Sequence, residues 1–367
     1  MEKKFWIALS AIEQLDSLFF KTLYEYFGDA EKVFNSSLAD LKNIEGLSVR
    51  KVDNFLKKRD SINPDKALQE VLNRGIKFLT YDDENYPKML REIADSPMVL
   101  YYKGDLANCN LDRTVAFVGS RNCSTNGKDS AKKVIKGFKG TDVCIVSGLA
   151  TGIDTVAHVA AIENGLKTIG VIASGFDFVY PTANKKLYKE IEDGAGVIFT
   201  EYYPTFEPIK FRFPQRNRIV SGLSYGTVVV EAAIKSGALI TANLTLEQGR
   251  ELMCIPGSIN NPNTEGIYKL LKNGASIVTN ADDVLNTLNW EIKIPEKSAP
   301  KQNFDKFNID EKKILYTINI EPKTFDEIQK ETNLDTETLL ELLTTLELNS
   351  VITQTVDDRY KIEWRLP

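Results

Sequence analysis

The sequence predicts an α/β protein: a Rossmann-like core built on a parallel sheet, preceded by a small helical unit and followed by a unit with winged-helix order. Three observations predict it. Between about residues 75 and 290, seven short apolar runs (TVAFVGS, DVCIVSG, KTIGVIASG, GVIFTEY, GTVVVEA, LMCIPGS, ASIVTN) alternate with helical stretches. Continuous apolar strands of this kind belong to parallel sheets covered on both faces. Before them, residues 1–72 place apolar side chains at spacings of three and four, with no strand-like alternation. After them, residues 308–363 offer three helical stretches and then two strand-like pieces.

In the first segment the helical spacing runs through Phe5, Trp6, Leu9, Ile12, Leu15, Phe19, Leu23, Tyr26 and Phe27. Residues 1–72 are therefore read as a helical domain, SAM/helix-hairpin-helix-like in character. Its IEGLSVRKVDNFLKKR stretch sets Gly46 ahead of Arg50, Lys51, Lys57, Lys58 and Arg59. The amides of such a hairpin can face a phosphate. Ser48 stands where the second glycine of that motif belongs, so a plain helical turn with a solvated basic face is preferred. Residues 73–290 form the α/β domain, whose ligands are expected beyond the carboxyl ends of the strands, where glycines and polar residues cluster.

Residues 291–306, EIKIPEKSAPKQNFDK, are rich in lysine and proline without a periodic apolar face, and are expected to be a linker. Residues 307–367 give DEKKILYTIN, FDEIQKET and DTETLLELLTTLEL, then SVITQTV and RYKIEW, which is winged-helix-like order. The third helix carries Asp335, Glu337, Glu341 and Glu347 and no basic residue, a pattern that repels phosphate. A packing or protein-binding module is preferred over a DNA reader.

Composition removes whole classes of function. At 367 residues, with 43% hydrophobic and 26% charged, the chain can bury a sizeable core in two or three domains. It contains no run of about 18 uncharged apolar residues, so no membrane span is expected. The start, MEKKFWIALSAIEQLDS, meets an acidic residue before any signal-peptide pattern forms, and a cytoplasmic location is expected. Cys109, Cys123, Cys144 and Cys254 form no CxxC pair, so neither a disulfide nor a zinc site is expected. His158 is the sole histidine, which rules out a multi-histidine metal site and leaves any Ser-His-Asp or Cys-His system to one residue. No catalytic residue, metal or cofactor is expected. The net charge of -5 argues against coating nucleic acid by overall attraction, so binding would need a local patch.

Four segments could supply one. In VAFVGSRNCSTNG a strand ends at Val118, and Gly119, Ser120 and Arg121 precede a helix starting near Ser124 or Thr125. Close backbone approach, a hydroxyl, a bidentate cation and a helix N-terminus together make an anion cradle. A purely structural tight turn is the alternative. Gly119 and the Gly127-Lys128 pair are too far apart for a Walker loop, and Asp129 replaces the magnesium-binding hydroxyl. In VSGLATGIDTVAH, Ser147, Gly148, Gly152 and Asp154 follow another strand, with Asp154 read as a helix cap and His158 as a packed imidazole. In ASGFDFVYPTANKKLYKEI, Tyr180, Lys185, Lys186 and Tyr188 suit either a nucleic-acid strand or an ordinary amphipathic helix. In PIKFRFPQRNRIVSGLSYG, Lys210, Arg212, Arg216 and Arg218 interleave with Phe211 and Phe213 before a buried stretch, which reads as fixed cations forming a phosphate track.

In this order, VAFVGSR, VSGLATGIDTVAH, ASGFDFVYP, TEYYP, FPQRNRIVSGLS, VVVEAAIKSGALITA and IPGS resemble the DNA-processing protein A (DprA/Smf) family over about residues 80–285. The resemblance implies an extended Rossmann domain that binds single-stranded DNA, forms homodimers through that domain, and protects incoming DNA and loads RecA recombinase onto it during natural transformation. The family's phosphate-contacting GSR falls on Gly119, Ser120 and Arg121, and its RNR segment on Arg216, Asn217 and Arg218. Its lysine after the YP turn falls on Lys185, and a base-stacking role falls on Tyr188. Thr151 departs from the arginine common in SGLARGID, which shifts the expected DNA hold toward Arg121 and residues 210–218.

Two other readings carry distinct signatures. SGLSYGTVVVEA, with Gly226, Thr227 and Glu231, shares part of the PGGxGTxxE signature of LOG-like nucleotide phosphoribohydrolases, without the PGG. A nucleotide-sensing regulator would instead signal through the C-terminal unit.

Overall fold

The computed structural model describes residues 3–13, 15–291, 304, 306–319, 321–355 and 358–363. Most of the expected 291–306 linker lies outside the described residues. The chain divides into two compact units, Met1–Ile294 and Pro295–Pro367.

The first unit opens with helices α1 (Lys4–Ser10), α2 (Ser17–Phe27), α3 (Ala30–Asn35), α4 (Leu38–Lys42), α5 (Val49–Arg59) and α6 (Pro64–Asn73). Side-chain caps start several of them: Asp16 accepts from the Phe19 amide at 2.7 Å, and Ser48 from the Lys51 amide at 3.3 Å. Ser48, in the second glycine's place, thus begins an ordinary helix. The apolar faces converge on Trp6, Ile7, Leu9, Leu23 and Val33, and this core continues onto Val99 and Tyr101 of the sheet.

The chain then runs β1 (Lys77–Thr80), α7 (Lys88–Arg91), β2 (Val99–Gly104), β3 (Thr114–Val118), α8 (Thr125–Lys136), β4 (Cys144–Ser147), α9 (Ile153–Glu163), β5 (Thr168–Val171), α10 (Lys185–Glu190), β6 (Gly196–Thr200), α11 (Arg212–Gly222), β7 (Gly226–Val229), α12 (Gly237–Glu247), β8 (Glu251–Cys254), α13 (Glu265–Lys272), β9 (Ser276–Ile277) and α14 (Ala281–Thr287). The strands form one sheet in the order β1-β2-β6-β5-β4-β3-β7-β8-β9. From β6 to β9 all neighbours are parallel, with Val115 opposite Ile145 and Val118 opposite Val229. These are the seven strands expected from the sequence. Strands β1 and β2 were not among them; β2 joins β6 antiparallel and β1 joins β2 antiparallel.

Alternation along each strand feeds two cores. Ala116, Val118, Val146 and Val171 face Ile219, Val220, Ala242 and Ile267 on one side. Val115, Phe117, Ile145 and Val228 face Ala131, Val134, Ala157 and Val284 on the other. Both faces are covered, which accounts for the uninterrupted apolar strands. The order climbs from β3 through β6, then returns to β7 on the opposite side of β3. That reversal opens a crevice at the carboxyl ends of β3 and β7, the place where such sheets hold ligands.

The second unit, by itself, contains α15 (Ile309–Ile318), β10 (Lys323–Thr324), α16 (Phe325–Thr332), α17 (Thr336–Leu348), β11 (Ile352–Gln354) and β12 (Arg359–Ile362), with sheet order β10-β12-β11. Capping boxes at Asn308 and Thr324 start α15 and α16. Ile314, Ile328, Leu339, Leu343 and Ile352 form its core. Helix α17 exposes Glu337, Glu341 and Glu347.

Candidate nucleic-acid interface

The crevice is an open cleft of about 690 Å³. Gly119, Ser120 and Arg121 enter it from the end of β3, Gly148 and Asp154 from the end of β4, and Tyr180 from beyond β5. Arg216 and Asn217 reach it from α11, preceded by Lys210 and Phe213. Thus Gly119, Ser120, Arg121, Gly148, Lys210, Arg216 and Asn217, separated by up to about a hundred positions, come together in one cleft.

Arg216 forms the floor. It is 4% exposed and donates to the carbonyls of Gly148, at 2.5 Å, and Val171, and from Nε to the Asn217 side chain at 3.2 Å. Burial lowers its pKa, the nearby Arg121 lowers it further, and Asp154 works against both. Asp154 is itself raised by burial despite Arg216. A Cβ at Gly148 would lie 2.6 Å from the Asp154 carboxylate and 2.7 Å from the Arg216 guanidinium. Gly148 therefore permits this pairing of buried charges. Asp154 accepts from the Ala150 amide at 3.3 Å and makes no cap of α9, whose N-cap is Gly152, so the expected capping role is replaced by one beside Arg216.

Arg121 is exposed and has no hydrogen bond or ion pair among the described residues. Its guanidinium lies 5.6 Å from the Phe213 ring centroid. Stacking of this kind orients a cation without neutralising it. Phe213 in turn packs against Tyr180 at 5.4 Å between centroids. Lys210 and Lys235 are exposed on the rim, also without an ion pair among the described residues. Four cations thus surround the cleft against the one buried carboxylate of Asp154.

The other expected site residues lie elsewhere. Arg212, 2% exposed, donates to the Glu207 carbonyl at 2.5 Å and to Glu13 at 3.2 Å, and packs on Tyr202 and Phe206. Arg218 holds Glu201 in a bidentate pair at 2.8 and 2.7 Å and bonds Ser17 and Asp95, and Glu201 raises its pKa against the cost of burial. Both line a separate cavity with Glu13, Asp16 and Glu201. The expected 210–218 track is therefore divided: Lys210 and Arg216 face the cleft, while Arg212 is paired with Glu13 and Arg218 with Glu201 and Asp95.

Tyr188 is 4% exposed, packs with Leu149, Ile172 and Ile198, and donates to the Tyr180 carbonyl at 2.8 Å. Burial raises its pKa, and it offers no face for a base; the accessible aromatics are Tyr180 and Phe213. Lys185 is exposed with Lys186 and Lys189 along α10, apart from the cleft lining. Gly119 is glycine for an internal reason, because a Cβ there would meet Ile153 at 2.7 Å.

The helix N-terminus expected to complete the anion cradle is already satisfied. Buried Glu231 accepts from the Ser124 amide at 2.8 Å, the Ser124 hydroxyl at 2.5 Å and Asn261 at 2.9 Å, and Ser124 caps the Gly127 amide at 3.1 Å. The residue central to the phosphoribohydrolase reading thus closes α8. His158 is a packed imidazole, as expected: it is fully buried against Thr168 at 2.6 Å, and burial lowers its pKa to about 3.

A family model for DNA recombination-mediator protein A matches residues 77–289. The chain belongs to that family. Among its relatives, DNA processing protein DprA of Streptococcus pneumoniae is 44% identical over 248 residues, covering 68% of this chain and 86% of the relative. Protein Smf of Synechocystis is 33% identical, covering 78% and 73%. The X-ray structure of Streptococcus pneumoniae DprA superposes with a TM-score of 0.70 at 38% identity, over 78% of this chain and 98% of that one. The DNA processing protein A of Helicobacter pylori, described for its single-stranded DNA binding mode, superposes at 0.52 with 32% identity over 58% and 95%. The family's core thus spans the sheet and the whole cleft.

Lys235 was missed by sequence reasoning as a site residue. Its signal is positional: in EAAIKSGALITA it falls between a strand and a serine-capped helix, at the same edge as the GSR loop.

Proposed function

We propose that the cleft holds single-stranded DNA, with Arg121, Lys210, Arg216 and Lys235 as its phosphate partners, Gly119, Ser120, Gly148 and Asn217 shaping its wall, and Tyr180 and Phe213 as faces for unstacked bases. The carrying observation is the charge imbalance: exposed Arg121, Lys210 and Lys235, without ion pairs among the described residues, surround buried Arg216 and a single buried carboxylate. Such a site suits an anion with several charges and exposed π-faces. Membership of the recombination-mediator family supports the reading, as does the description of the Helicobacter pylori neighbour.

On this reading the chain acts in natural transformation without turnover of its own, protecting incoming DNA and passing it to RecA recombinase from a homodimer formed through the α/β domain. Arg212 and Arg218 act indirectly, fixing α11 so that Arg216 and Asn217 face the strand. The C-terminal unit, winged-helix-like in element order, serves a protein partner, because α17 presents glutamates. Among the described residues no helix is long and apolar enough to cross a membrane.

The test is fluorescence anisotropy of a labelled oligonucleotide across a salt series. Arg121→Ala, Lys210→Ala and Lys235→Ala should each weaken binding and make the log-log salt slope shallower by about 0.7. Unchanged affinity and slope in the triple variant would overturn the proposal.

A further inference from the structure

Between Thr125 and Lys139 the sequence TNGKDSAKKVIKGFK carries five lysines and one aspartate in a chain that is acidic overall. Helix α8 and the turn after it bury Ala131, Val134, Ile135 and Phe138 against the sheet and leave Lys128, Lys132, Lys133, Lys136 and, past the helix end, Lys139 exposed. None of the five has an ion pair among the described residues. Some surface lysines are paired, Lys189 with Asp193, Lys51 with Asp16 and Lys313 with Asp310, whereas this stretch gathers five that are unpaired among the described residues.

Lys128, Lys132 and Lys136 follow one another at i, i+4 and i+8, where like charges oppose helix formation. Lys133 and Lys136 in the last turn complement the helix dipole. Lys128 and Lys132 gain nothing from it. The charged groups packed against α8 do not neutralise the row: Glu163 ends α9, Asp282 is exposed on α14, Asp283 accepts from the Thr279 and Asn280 amides, and Glu231 is taken up by Ser124 and Asn261. Neither Glu163 nor Asp282 pairs with a lysine of α8.

The row starts seven residues after Arg121, just past the loop that lines the cleft. Helix α8 is capped by Ser124, three residues after Arg121, and Lys128 is close enough to Cys123 to lower that thiol's pKa against the dominant effect of burial. From Lys128 to Lys136 the helix rises roughly 12 Å, with a cation about every 6 Å, a repeat comparable to that of phosphates along an extended single strand.

We propose that the exposed face of α8 is a second phosphate-binding surface, along which a single strand of nucleic acid continues after it leaves the cleft past Arg121. The proposal rests on the cleft reading for the strand's starting point. It adds a prediction that the cleft alone does not make: affinity should grow with oligonucleotide length beyond what fills the cleft.

The experiment compares the full chain with a K128Q/K132Q/K136Q/K139Q variant, whose exposed glutamines keep helix propensity. Anisotropy is measured with an oligonucleotide of about six nucleotides and one of about twenty-five, within and beyond the span of a single binding groove. The expected result is a roughly tenfold or greater loss for the long strand, a salt slope shallower by about 2 to 3 from lost phosphate contacts, and unchanged affinity for the short strand. Equal affinity and slope for the long strand would overturn the proposal, as would a long-strand loss no larger than that for the short strand. Failure of the cleft reading is distinguishable, because Arg121→Ala would then leave the short strand's affinity intact.

Discussion

Replacing Arg216 with alanine should damage the fold before it damages binding. The guanidinium is 4% exposed and donates to the Gly148 and Val171 carbonyls and the Asn217 side chain, beside a buried Asp154. Truncation leaves those acceptors unsatisfied and Asp154 without its opposing charge. Breaking a buried ionic arrangement from one side costs roughly 3–5 kcal/mol, which in a unit of this size lowers Tm by roughly 6–20 °C. An Arg216→Met, Asp154→Asn double variant should recover a large part of the loss, because the uncompensated charge is gone. Arg121→Ala, at an exposed position stacked on Phe213, should shift Tm by no more than about 2 °C while weakening DNA binding. The assay is thermal unfolding followed by circular dichroism on all three variants. An Arg216→Ala protein as stable as the parent would refute the structural part of this reasoning and leave Arg216 with its phosphate contact as its sole role.

Three further outcomes follow from the same geometry. His158 has a folded pKa near 3, below its unfolded value of about 6.5, so the unfolded chain binds the proton first on acidification. Its contribution to stability is therefore intact above pH 6.5 and falls by about 1.4 kcal/mol per pH unit below it, down to about pH 3; urea titrations of the parent and His158→Asn should show that slope only in the parent. Glu231→Gln should lower stability by about 2 kcal/mol, through the lost closure of α8 at Ser124, a loss that urea denaturation would measure. Thr151→Arg places a cation at the cleft annex lined by Arg121, Tyr180 and Arg216; it should tighten binding of single strands several-fold and steepen the salt slope by about 0.7, as read by anisotropy.

The parallel core was legible because strands buried on both faces must be apolar throughout, as in TVAFV and GVIFT. Strands β1 and β2 escaped notice because an antiparallel edge relaxes that demand, and β2 trails off into Tyr102, Lys103 and Gly104, which are only half buried. For the site, sequence order located the right loops but not the direction of each side chain. Arg212, Arg216 and Arg218 look equivalent on one short helix, yet 3.6 residues per turn sends Arg216 toward Gly148 and Arg218 toward Glu201. Tyr188 looked available beside lysines and is in the core. Glu231 is more than a hundred positions from the helix it closes, a relation that no local pattern carries.

The most direct test of the central claim is a competition assay on the purified chain. A labelled single-stranded oligonucleotide is bound, then challenged with unlabelled single strand, duplex of the same sequence, and nucleoside monophosphate. Displacement by single strand is expected at far lower concentration than by duplex, none by monophosphate, and loss of the labelled complex on Arg121→Ala, Lys210→Ala substitution. Displacement by monophosphate as effective as by single strand would contradict the claim, and would turn the cleft into a nucleotide pocket.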